Sequence, residues 1–133
     1  MIKNRPVDRS DAVNYLKRAE ECLHSARRSM ENDEWNVCVI DAIHCGIAAA
    51  DAICVAKLGL RNASENHNDT LRLLASIGND NEISAAVRHL SSLLSIRTDA
   101  EYGSKLQLRP AAEAALMHAE RLLNFSRNKV KPI

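Results

Sequence analysis

Apolar residues recur every three or four positions through most of this chain. Val13, Leu16, Leu23 and Met30 keep that spacing, with Arg18, Glu21, Arg27 and Arg28 on the other side. This predicts an amphipathic helix ending near Asn32, capped at its start by Asp8 or Ser10. After the break at "ENDEW" comes "WNVCVIDAIHCGIAAADAICVAKLG", which is apolar nearly all round. Such a stretch predicts a central, buried helix from Glu34 or Trp35 to Leu58, stopped by Gly59. A polar connection, "LRNASENHN", leads into a short helix over about 67–77. A fourth helix is expected from about Glu82 to Asp99, with Ile83, Val87, Leu90 and Leu94 in line, and "EYGSKLQLR" reads as a loop. Pro110 suits the first turn of a last helix, which runs to about Arg127 with Ala112, Ala115, Ala119 and Leu122 inward.

Composition agrees with that pattern. Of 133 residues 46% are apolar, only four are Gly and three Pro, and aromatics make up 3%. Sandwiches and barrels use more turn residues and more β-branched and aromatic ones. The expectation is an all-α, single-domain antiparallel helical bundle over 1–133, with four long helices and one short one. Residues 1–8 and 128–133 are expected to be flexible ends.

The net charge of +1 excludes a strongly basic global field. The run of positive residues after Glu120 (Arg121, Arg127, Lys129, Lys131) reads as charges complementing a helix C-terminus, then a frayed tail; the alternative is a nucleic-acid arm. Four cysteines at 22, 38, 45 and 54 lie inside helices and form no CxxC pair. They read as small buried apolar residues in a reducing, cytoplasmic setting. The polar opening "MIKNRPVDRSD" is unlike a signal peptide, and no apolar run reads as a membrane span.

Candidate chemistry collects on two helices. Asp41, His44 and Asp51 interrupt the apolar helix, and a buried carboxylate needs a partner. Arg97, near the end of the fourth helix, is the expected partner of Asp51. Asp41 with His44 could begin a carboxylate metal site, but the Glu-x-x-His pairs of di-iron bundles are absent, so no metal and no cofactor is expected. A satisfied core histidine is the plainer reading of His44. His24 and His118 read as surface residues. His89, eight residues before Arg97, could share a broad face with it, and His67 opens the short helix. The stretch "SIRTDAEYG" adds Asp99 and Tyr102 beside Arg97.

Two segments together resemble the HEPN superfamily of helical-bundle proteins. One is "DAIHCGIAAADAICVAKLGLRNASENHNDTLRLL" (41–74); the other is "LSSLLSIRTDAEYG" (90–103). The resemblance covers most of the chain. It implies a homodimer, and Arg97 at the position of the family's arginine. Many members are metal-independent ribonucleases, often toxins, whose signature is Arg, four to six residues, then His, the pair meeting its copy across a dimer cleft. There Arg holds the scissile phosphate and His moves a proton. In this chain the corresponding window holds Tyr102, Gly103 and Ser104, with no histidine. A phenol with an ordinary pKa of about 10 is a poor proton shuttle at neutral pH. The resemblance therefore implies a non-catalytic, dimeric protein binding RNA or a nucleotide phosphate around Arg97, with Tyr102, Asp51, His44 and Asp99 as ligand-binding candidates. One alternative is a ribonuclease toxin using a displaced histidine, His67 or His89. The other is an interaction or antitoxin-like partner of a nucleotidyltransferase.

Overall fold

The computed structural model describes residues 3–130. Five helices form the bundle: α1 (Ala12–Glu31), α2 (Trp35–Leu58), α3 (Asn68–Ala75), α4 (Asn81–Tyr102) and α5 (Arg109–Lys129). The all-α bundle of four long helices and one short one is therefore the observed architecture. Helix ends follow local chemistry. Asp8 accepts from the amide of Ser10 and starts a 3₁₀ turn, Arg9–Asp11, that leads into α1. Asp80 accepts from the amides of Glu82 and Ile83 at the start of α4. Gly59 closes α2 at φ 65°, in the left-handed region that favours glycine.

Helix α2 touches all four other helices. Small residues permit this: Ala42, Gly46, Ala49, Ala50 and Ala52 are all buried. A Cβ on Gly46 would collide with Leu93 Cδ1 of α4 and come to 3.5 Å from Leu122 Cδ2 of α5. Ser126 of α5 donates to the carbonyl of Ala49 at 2.9 Å, so even the polar atom at this contact is satisfied. The most apolar window of α2, mean hydropathy 1.8, is long enough to cross a membrane, which corrects the expectation that no run reaches that length. In this fold 67% of that window is buried inside the bundle, and α2 is its core helix.

Several expectations change. In α1 the inward stripe is Ala12, Tyr15, Ala19, Leu23 and Ala26, while Val13 is 49% exposed. Alanines win the inner positions because they let α1 lie close on α2. Helix α4 runs three residues past Asp99, so Tyr102 belongs to the helix and not to a loop. Residues 4–6 carry regular structure. Asn4–Pro6 (β1) pairs antiparallel with Leu60–Asn62 (β2), Arg5 standing opposite Arg61. Gly59 turns the chain so that its carbonyl accepts from Val7 at 2.9 Å, and Lys3 accepts from Ala63 at 2.8 Å. A lone two-stranded ribbon is marginal in water, and this one leans on the bundle. At the other end Lys129 Nζ lies 3.0 Å from Asp80 and Val130 is buried, so the chain stays docked through 130. Arg127 faces Glu20 at 3.9 Å. Lys131 and the rest of the expected flexible tail lie outside the described residues.

The four cysteines are free. Burial pushes the Cys38 thiol up to about 11 and the Cys45 thiol to about 12, and raises Cys54 further, so all three are unreactive.

Replacing Gly46 by Val forces Leu93 and Leu122 out of tight packing. An overpacked core position loses about 1–3 kcal/mol. The expected outcome is a lower midpoint in chemical denaturation at an unchanged m-value; an unchanged midpoint would mean that α4 and α5 do not rest on α2 as described.

Candidate phosphate-binding crevice

One stripe of α2 is left uncovered by the other helices. Val37, Ile40, His44, Ile47 and Ala48 lie along it, none fully buried. The polar residues of α2 are sorted by it. Asp41 turns toward α1 and accepts from Ser25 Oγ at 2.7 Å. His44 stands on the open stripe and Asp51 at its far end.

Arg97 does not pair with Asp51. Its Nη2 lies 3.2 Å from Glu101 Oε2, one turn along α4, and His44 Nε2 lies 3.3 Å from Glu101 Oε1. Glu101 is only 14% exposed in its side chain and uses both oxygens to tie α4 to α2. Arg97 is 29% exposed. Its Nε is buried and meets no hydrogen-bond partner among the described residues. The reason for the changed pairing is distance along the fold: Glu101 at i+4 on the same helix face reaches Arg97 first.

Asp51 instead meets Arg61, whose Nε lies 3.2 Å from Oδ2. Gly59 reverses the chain so that β2 carries Arg61 back over the end of α2. Burial pushes the Asp51 carboxyl up to about 6 although Arg61 and, more weakly, Arg18 pull it down. Both Arg61 and Arg18 lie over the ring of Tyr15, at 5.3 and 4.9 Å from its centroid.

His67 sits between these two groups. It lines an 80 Å³ cavity with Arg97, Asn66, Asn68, Leu94 and Thr98. It also lines a 260 Å³ cavity with Tyr15, Arg18, His44, Asp51 and Arg61. A tight loop holds it there. The Asn62 amide bonds Asn66 O and Thr70 Oγ1, each at 3.1 Å, and Ser64 Oγ bonds Asp69 at 2.7 Å. Burial is the main cause that lowers the His67 pKa from its ordinary value, and Arg97 adds to it. The shift favours the uncharged imidazole.

The remaining candidates fall elsewhere. Tyr102 is 71% exposed and lays its ring 5.9 Å from the Arg97 guanidinium, so it contacts the cation's face instead of donating into the crevice. Asp99 is exposed and lines a separate depression with Gly103, Ser104 and Lys105. His89 does not share a face with Arg97: eight residues is about 2.2 turns, which rotates it toward α5. Its Nδ1 lies 2.9 Å from Nδ1 of His118, so His118 is half-buried in a pair and not a free surface residue. His24 is exposed as expected. Among the described residues no three His, Cys, Asp or Glu side chains converge as metal ligands. The sequence alone does not single out Glu101, Arg61, Arg18 or Tyr15. Only Glu101, four residues after Arg97, leaves a local signal.

The fold and crevice define a compact helical bundle with a cationic groove along its central helix. The family model described as HEPN domain matches residues 12–129. The chain belongs to the HEPN family. Among solved structures it is similar to the crystal structure of TT1696 from Thermus thermophilus, with 23% identity over 90% of this chain and 98% of that chain, at a TM-score of 0.69. That likeness is one of fold. No curated protein matches.

The Asp51 environment sets a pH dependence. Its folded pKa is above the unfolded value of 3.8, so the fold favours the protonated form and loses stability as pH rises from about 4 to 6. Asp51→Asn removes that slope. The variant's melting temperature relative to the parent should therefore rise between pH 4 and pH 7; a difference flat in pH would show that Asp51 is not destabilised by burial.

Proposed function

We propose that the chain binds the phosphate backbone of single-stranded RNA in this crevice, with Arg97 as the central contact. One observation carries the reading: a guanidinium held by the nearly buried Glu101 carboxylate lines one cavity with the His67 imidazole. Guanidinium groups match phosphate oxygens in pairs, and one fixed in advance loses little freedom on binding. His44 and His67 add imidazole nitrogens on either side. The nearly balanced net charge makes affinity a property of this groove and not of the whole surface.

A second reading, cleavage of the bound strand, is favoured by the position of His67. The window after Arg97 lacks a histidine, yet the loop before α3 brings one to the same crevice. In that reaction His67 takes the proton of a 2′-hydroxyl, the 2′-oxygen attacks phosphorus, and the bond to the 5′-oxygen breaks. The 5′-oxygen takes a proton from water, and a 2′,3′-cyclic phosphate remains. Arg97 balances the charge that builds on the phosphate.

Both readings meet in one experiment. Labelled single-stranded RNA is titrated with the protein in chelator, at several salt concentrations, and the RNA is then run on a gel. Binding should weaken with salt and fall roughly tenfold in Arg97→Gln, about the worth of one charge-assisted contact. Intact RNA after long incubation leaves binding alone; cleavage lost in His67→Gln supports the second reading. Absence of binding by the parent protein would overturn the proposal.

The crevice borders an apolar surface. Asn36 accepts from the amide of Gln107 at 3.1 Å and donates to Ala100 O at 3.2 Å, fixing the loop after α4 against the start of α2. Val37, Tyr102, Leu106 and Leu108 are exposed at this end, by 47 to 77%. We read it as the face that a second copy covers. Light scattering should give the mass of a dimer, and Leu106→Glu with Leu108→Glu the mass of a monomer; a monomeric parent would remove the dimer from the account.

A further inference from the structure

The residues on the α1 side of His67 form more than a wall. Arg18 and Arg61 both lie over Tyr15, and Asp51 fixes Arg61 from below. Arg5 stands directly opposite Arg61 in the β1–β2 pair, on the same face of the ribbon. Like charges placed opposite one another in this way oppose strand pairing. Among the described residues neither Arg5 nor Arg18 has a carboxylate partner. Two guanidiniums, Arg18 and Arg61, thus line one cavity with Asp51 as the acid beside them, in a chain whose net charge is only +1. The ribbon that carries Arg61 is itself built by Gly59 and the N-terminal strand, outside the helical core. An anion seated there would offset the positive charge that Asp51 alone does not balance.

The cavity has the room. At 260 Å³ it is larger than the 80 Å³ cavity on the Arg97 side, and His67 belongs to both. The two cation groups are therefore neighbours along one crevice, divided by a single imidazole.

We propose that the Arg18–Arg61 cluster is a second phosphate subsite, so that the crevice takes two successive phosphates of one RNA strand. One phosphate lies on Arg97 and the next on Arg18 and Arg61. The ribose between them passes His67. The inference rests on the RNA reading above and adds a minimum length to it: a ligand with one phosphate fills half of the site.

The test uses the full chain and a fluorescein-labelled hexauridylate, followed by anisotropy across a salt series. For single strands, each phosphate contact contributes about 0.7 to the slope of log affinity against log salt. Arg18 is exposed, so Arg18→Gln should fold as the parent does. It is expected to weaken binding several-fold and to flatten the slope by about 0.7. Arg97→Gln should remove a similar increment, and the double variant both. Arg61→Gln is made together with Asp51→Asn, so that no buried carboxylate is left alone, and should reproduce the Arg18→Gln result. If Arg97→Gln weakens binding while Arg18→Gln and the Arg61 pair keep the parent affinity and slope, the second subsite is wrong and the RNA reading stands. If the parent does not bind the hexauridylate, both fall.

Discussion

Four helices can close on α2 because glycine and alanine stand at several of its contact positions. Close approach at Gly46 brings α4 and α5 onto it, and Ala42, Ala49 and Ala50 do the same along its length. With so much of the helix covered, the side chains that would be costly to bury are confined to one remaining stripe. His44 and Asp51 stand on it, and their partners must arrive from neighbouring elements. Everything in the crevice follows from that confinement. Glu101 comes down from the end of α4, Arg61 returns on the strand after Gly59, and each makes an ion pair that would be worth little on an open surface. Here the acid in each pair is nearly buried, so it fixes the guanidinium in one direction.

The chemistry depends on this division of labour. Asp51 and Glu101 orient the charged groups beside them, Arg61 and Arg97. Burial lowers the His67 pKa, and the Arg97 charge lowers it further. The histidine is also held from behind: Asn62, Ser64, Thr70 and Asp69 close the loop through side-chain hydrogen bonds. That loop lies outside the helices, and its polar side chains, not helix packing, set where the imidazole stands.

Much of this architecture is legible in the sequence. The helices, their order and the buried nature of α2 follow from spacing and from scarce Gly and Pro, and the HEPN resemblance draws attention to Arg97. Long-range pairing is what local patterns do not carry. Nothing in "LRN" indicates a strand, because its partner is the distant segment Asn4–Pro6. Arg61 therefore does not present itself as the partner of Asp51, and Arg97 stands as the best candidate only by elimination. Glu101 is visible at i+4 from Arg97, yet the buried acid on α2 is the more unusual group and competes for the same guanidinium on paper. Gly103 reads as a stop that leaves Tyr102 in a loop, whereas α4 carries Tyr102 on its last turn. His67 and His89 are equal candidates for a displaced histidine in the sequence. Only the folded loop separates them, since α4 turns His89 toward His118.

The central claim is that His67 is a neutral group held between two anchored guanidiniums. NMR titration of its imidazole tests this directly. The account predicts a pKa below the ordinary histidine value, which rises when Arg97→Gln removes one neighbouring charge and rises again on adding inorganic phosphate. A His67 that titrates at or above the ordinary value, and responds to neither change, would contradict it.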